Sequence, residues 1–142
     1  MRGDLGQLEP GEESLAELQL LLARRSQRDL VADRTRALTR LRETLLALFP
    51  ALERVLRFNT RGPLVLVARY QTAGAVRQAG RKRVAAYLNK RGVAKADVLA
   101  EKALDAAGRQ KSRLPAEDVA ARIVAELAGE VLVLKERVEE LA

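Results

Sequence analysis

From Ser14 to Phe49 the chain contains neither glycine nor proline, and its leucines recur at helical spacing throughout. The economical conformation for such a stretch is one continuous α-helix of about 35 residues. Glu12, Glu13 and Glu17 suit a helix N-terminus, with Ser14 as N-cap and Glu17 as its capping-box partner. Pro50 ends or kinks the helix, which resumes through Phe58. The apolar stripe changes side on the way. Val31, Leu38, Leu41, Leu45, Leu48 and Leu52 follow steps of seven, three and four, the spacing of a coiled-coil seam. Leu15, Leu18 and Leu22 also keep helical spacing, but at about 100° per residue they fall on roughly the opposite side. The polar stretch Arg24–Asp29 separates the two faces, so they require different partners.

Residues 59–62 have turn composition before Pro63. Short helices are expected beyond them over Pro63–Tyr70, Ala73–Ala79, Arg81–Arg91 and Lys95–Gly108. Thr72 would cap the second, and Gly80 and Gly92 would take C′ positions. Leu114–Pro115 opens the last helix, with Pro115 at N1 and Glu117 and Asp118 in the first turn. That helix carries Val124, Val131 and Val138 at heptad position a, and Ala120, Leu127, Leu134 and Leu141 at d, a pattern that suits two-stranded packing. The expected fold class is all-α, with two long amphipathic, coiled-coil-like helices bracketing a small basic multi-helix insert. The expected organisation is a flexible segment over 1–13, a long helix over 14–58, the basic insert over 59–113 and the heptad helix over 114–142. An antiparallel pair within one chain and a dimer whose seams meet between chains satisfy the heptads equally.

Composition narrows the chemistry. At 142 residues and 48% hydrophobic the chain can bury a core, but with 3% aromatic residues that core must be Leu, Val and Ala. Cysteine and histidine are absent, which excludes disulfides, thiolate nucleophiles and zinc sites of the usual kind. Ser14, Ser26 and Ser112 have no histidine base, and the acids are scattered along helix surfaces rather than gathered to hold Mg²⁺. No catalytic residue and no cofactor are therefore expected in this chain. Apolar runs such as Leu64–Ala68 and Val131–Leu134 fall far short of the ~18 residues of a membrane span. Residues 1–13 lack the apolar core of a secretory signal. The expectation is a soluble cytoplasmic chain with no membrane partner.

Charge points to a partner. Residues 54–113 hold 15 Lys or Arg against three acids (Asp97, Glu101 and Asp105), whereas the flanks are close to neutral or acidic. Like charges at this density repel one another unless a polyanion faces them, and nucleic acid is the expected polyanion. The candidate contacts are Arg69, Arg77, Arg81, Lys82, Arg83, Lys90 and Arg91, with a second group at Arg109, Lys111 and Arg113. The competing reading is a solvated surface made arginine-rich by coding bias. On the first helix runs a second basic set, Arg24, Arg25, Arg28, Arg34, Arg36, Arg40 and Arg42; Arg25, Arg36 and Arg40 share one face and Arg24, Arg28 and Arg42 a neighbouring one, with Asp29 and Asp33 close enough to pair with several. Phe49, Phe58, Tyr70 and Tyr87 are spaced as core or helix-end residues, not as an exposed stacking row. Contact should then be to backbone phosphates, with little base readout.

Three stretches together carry a resemblance: RDLVADRTRALTRLRETLLALFPALERVL (Arg28–Leu56), TRGPLVLVARYQTAGAVRQAGRKRVAAYLNKRGV (Thr60–Val93), and the Leu114–Leu141 helix after KSRLP. The chain resembles the middle of transposases of the insertion-sequence family numbered one hundred and ten, the DEDD-type recombinases related to the invertase Piv. The resemblance implies three parts in series: a ribonuclease-H-like domain with four acids, a helical coiled-coil segment, and a domain carrying a catalytic serine. It implies that the middle part pairs protomers and helps hold a guide RNA and DNA, and it implies Mg²⁺ only for the full-length family. Asp4, Asp29 and Asp33 do not match the family's acidic motif, so no catalytic role passes to them. The expected function is that of a transposase fragment that binds DNA or structured guide RNA and pairs as a homodimer, or with full-length transposase, through Val31, Leu38, Leu41, Leu45, Leu48, Val124, Leu127, Val131, Leu134, Val138 and Leu141. The alternatives are a stand-alone basic helical binding protein and an interaction protein that modulates the intact transposase.

Overall fold

The computed structural model describes residues 10–110 and 114–141. Among these residues the chain forms α-helices α1 (Pro10–Leu48), α2 (Pro50–Val55), α3 (Arg61–Arg69), α4 (Ala73–Lys90), α5 (Ala96–Arg109) and α6 (Glu117–Leu141), and no strand. The all-α expectation holds. α1 begins at Pro10, so Ser14 lies inside the helix and is not its N-cap.

Pro50 separates α1 from α2. Its ring disfavours helical geometry at the preceding residue, and Phe49 accordingly takes φ −144°, ψ 67° while its side chain is buried completely. The chain turns here without leaving the core. Arg42 then ties α2 back to α1, donating from Nε and Nη2 to Glu53 Oε2 at 3.2 and 3.1 Å.

The second half of α1 packs against α6 within the same chain. Their direction follows from chain length. Gln110 Nε2 donates to Leu48 O at 2.9 Å, so the end of α5 sits beside the end of α1. Seven further residue steps reach at most about 24 Å, and Val131 and Lys135 of α6 share a recess with Arg34 and Leu38 of α1; a parallel α6 would have to start beyond that reach, so it runs back antiparallel. Leu41, Leu45 and Leu48 from α1 meet a core that also holds Val124, Leu127, Val131 and Leu134 from α6, all buried. Val31, Leu38 and Val138 are half-buried at its edge, and Leu141 is exposed. Apart from Leu141, these seam side chains are covered within their own chain.

α3 supplies Leu64, Leu66 and Val67 to that core. α5 presents alanines 96, 100, 103 and 107 along one face, small enough to let α4 and α2 approach closely. α4 has two segments divided at Gly80 (φ 80°, ψ 162°), where a break was expected. Thr72 Oγ1 caps it, accepting from the Ala75 N–H at 3.0 Å. At its far end Gly92 takes φ 74°, and the N–H groups of Gly92 and Val93 donate to Asn89 O and Leu88 O at 3.0 Å each, a complete Schellman turn. α6 departs from expectation at its start. Ala116 adopts a left-handed φ of 59°, so Pro115 lies in a turn ahead of the helix and Glu117 opens it.

The first half of α1 stands apart. Every residue from Gly11 to Ser26 is exposed, and burial begins in earnest only at Leu30. At 1.5 Å per residue about 30 Å of bare helix projects from the body.

Candidate nucleic-acid interface

The cations of the basic insert occupy several distinct environments. Arg81, Lys82 and Arg83 follow one another directly after the Gly80 break, and all three are exposed. Lys90 is exposed in the last turn of α4. Arg69 and Arg91, distant in sequence, are brought to the two ends of one row. The Arg69 guanidinium lies 5.3 Å from the Tyr70 ring centre and that of Arg91 lies 5.0 Å from Tyr87. The two rings meet edge to face at 5.9 Å. Stacking on a ring face holds a guanidinium in place while leaving its N–H edge free for an anion. Tyr70, Phe49 and Phe58 are buried and Tyr87 is half-buried, so the aromatics serve the core and steady these two arginines.

Arg77 has another task. Its Nη1 donates to Ala107 O and Gln110 O, the carbonyls that end α5, at 2.5 and 2.6 Å. A cation there adds to the Gln110 N–H that already donates to Ala107 O at 3.3 Å, and complements the helix dipole. Its charge is thus already committed within the fold. Arg109 is exposed and borders a shallow recess with Arg54, while Lys111 and Arg113 lie outside the described residues. On α1, Arg36 pairs with Asp33 and Arg42 with Glu53, so that part of the arginine stripe is partly neutralised.

Four basic residues not among the candidates share a groove. Arg57, Arg61, Lys95 and Lys102 line a cleft of about 580 Å³ between the α2–α3 connection, the start of α3 and the start of α5. Arg61 also donates from Nη1 to Arg91 O at 2.8 Å, joining the groove to the end of α4. Arg57 and Arg61 lie four apart and Lys95 and Lys102 seven apart, but the pairs are 34 residues from each other along the chain, so spacing alone could not collect all four. Among the described residues no group of three or more acids is placed to hold a metal ion, and no helix is long and apolar enough to cross a membrane.

No protein-family model matches the chain, and no solved structure matches it significantly. Curated proteins do. The chain is 46% identical over 135 residues to a 42 kDa protein of insertion element IS900 from Mycobacterium paratuberculosis, covering 94% of this chain and 33% of the relative. It is 40% identical over 141 residues to a 44.8 kDa protein of insertion element IS116 from Streptomyces clavuligerus, covering 99% and 35%. It is 31% identical over 139 residues to a 43.6 kDa protein of insertion element IS110 from Streptomyces coelicolor, covering 96% and 34%. The chain spans about a third of the length of each. Sustained identity along nearly its whole length makes this chain a relative of the IS110-type insertion-element proteins.

Proposed function

We propose that the chain is a helical portion of an insertion-sequence transposase, acting in the cytoplasm to contact DNA or a structured guide RNA and to pair protomers, with the catalytic acids and serine carried elsewhere. The observation that carries the reading is the combination of kinship and charge. A chain related to insertion-element proteins concentrates exposed cations on α3, α4 and α5, where Asp97, Glu101 and Asp105 are the acids, all of them on α5. Phosphate contact resolves that repulsion, and steady guanidinium groups at Arg69 and Arg91 favour backbone over base edges. Replacing Arg81, Lys82 and Arg83 together by alanine tests it. Affinity should fall by a similar factor on unrelated duplexes, and a loss confined to one sequence would instead indicate base readout.

The pairing surface we assign is the bare half of α1. The heptad side chains of its second half are covered within the chain, whereas Leu15, Leu18 and Leu22 remain 49–55% exposed at i, i+3, i+7 spacing. That spacing suits the same helix of a second copy. Sedimentation should show a dimer that Leu15→Ser, Leu18→Ser and Leu22→Ser together convert to monomer; a monomer in the unsubstituted chain overturns the assignment.

A further inference from the structure

Among the described residues, two clefts on the packed body of the molecule differ in charge. The first, about 660 Å³ between α1, α3 and α6, is lined by Arg34, Arg42 and Lys135 but also by Glu43 and Glu53, and Arg42 is already bonded to Glu53. An anion gains little there. The second is the 580 Å³ groove lined by Arg57, Arg61, Lys95 and Lys102, and no acid is among its lining residues. All four side chains are exposed. The floor is apolar and closely packed: a Cβ on Gly62 would lie 3.0 Å from Val93 Cγ1 and 3.3 Å from Leu99 Cδ2. The cations therefore stand around a rigid wall.

We propose that this groove is a phosphodiester-binding site through which the chain grips a nucleic-acid backbone. The inference rests on the nucleic-acid reading above and adds to it a location and four residues. Four cations lining one groove with no acid among its lining residues favour an anion there. The starts of α3 and α5 border the same groove; Asp97 in the first turn of α5 offsets that end, whereas the first turn of α3 has no acid and Thr60 gives it no side-chain acceptor, so the start of α3 adds partial positive charge. Arg61 links the groove to Arg91, so a backbone following the cations continues toward the stacked arginines on the tyrosine pair. Because the recognised chemistry is the phosphodiester, DNA and RNA both qualify as its source.

The test is fluorescence anisotropy of the full chain with a labelled DNA duplex and, separately, a labelled RNA hairpin, each titrated across ionic strength. The variant is Arg57→Gln, Lys95→Gln and Lys102→Gln together; Arg61 is kept because it also holds the end of α4. Arg122→Gln with Arg137→Gln on α6 is the control of comparable charge loss. The groove variant should bind about 10- to 100-fold more weakly at low salt, and its log-affinity against log-salt slope should be shallower by about 2 to 3. The α6 variant should lose far less. Loss on one nucleic acid alone identifies which backbone the groove holds. Equal affinity and slope for groove variant and unsubstituted chain overturn the groove while leaving the proposed function intact; no binding by the unsubstituted chain overturns both. Should the triple variant melt early, Lys102→Gln alone, on the exposed face of α5, should still lower the slope by about 1.

Discussion

Arg77 separates a structural cation from a binding one. By sequence it belongs with the nucleic-acid contacts, yet its guanidinium bridges Ala107 O and Gln110 O at the end of α5, some thirty residues further along the chain. Arg77→Ala removes both bonds and a cation from a helix C-terminus. A hydrogen bond from a charged group contributes about 1.5–3 kcal/mol and a cation at the last turn about 0.3–1. One of the two bonds is part-buried and the other exposed, so water replaces much of the second. The expected net loss is about 1–2 kcal/mol, which for a chain of this size lowers the melting temperature by roughly 3–8 °C. Arg77→Lys keeps the charge and enough donors on one nitrogen, but on a shorter and more flexible side chain, and should recover about half the loss. Thermal and urea unfolding followed by circular dichroism reads the effect. An Arg77→Ala chain as stable as the unsubstituted one, yet weaker on nucleic acid, would refute the capping role and restore Arg77 to the interface.

Leu45 is wholly buried between α1 and its neighbours, so Leu45→Ala should destabilise by about 2–5 kcal/mol in urea unfolding. Gly80 sits at φ 80°, ψ 162°, a region nearly exclusive to glycine, so Gly80→Ala should cost about 1–3 kcal/mol by strain alone, since nothing crowds the position. Gly62→Ala should cost about 1–3 kcal/mol by overpacking against Val93 and Leu99. Adding Val93→Ala should make the pair less than additive, and simple additivity in a double-mutant cycle would contradict the contact.

Local punctuation made most helices legible. Thr72, Gly80 and Gly92 act where their chemistry requires a cap or a positive φ, and Phe49 breaks where proline restricts it. Two helix starts were less legible: Pro10 opens α1 ahead of Ser14, and left-handed Ala116 pushes the start of α6 past Pro115. The apolar seam was visible, but whether it paired within or between chains depended on the path from Leu48 to Gln110, which a heptad does not encode. The interface was the hardest part. A dense count of cations marked the right region, but count alone does not distinguish Arg77, bonded to α5, from Arg91, stacked on a ring. Nor could spacing collect Arg57, Arg61, Lys95 and Lys102, which meet only after α3 and α5 have packed.

The central claim is that the basic face meets a polyanion. It is tested most directly by the affinity of the unsubstituted chain for a DNA duplex and an RNA hairpin, measured from about 50 to 200 mM salt. The account predicts tight binding at low salt to at least one of them, with a log–log slope of about −4 or steeper, as four or more neutralised phosphates require. Binding that is undetectable at about 50 mM salt, or that stays constant across this range, would contradict it.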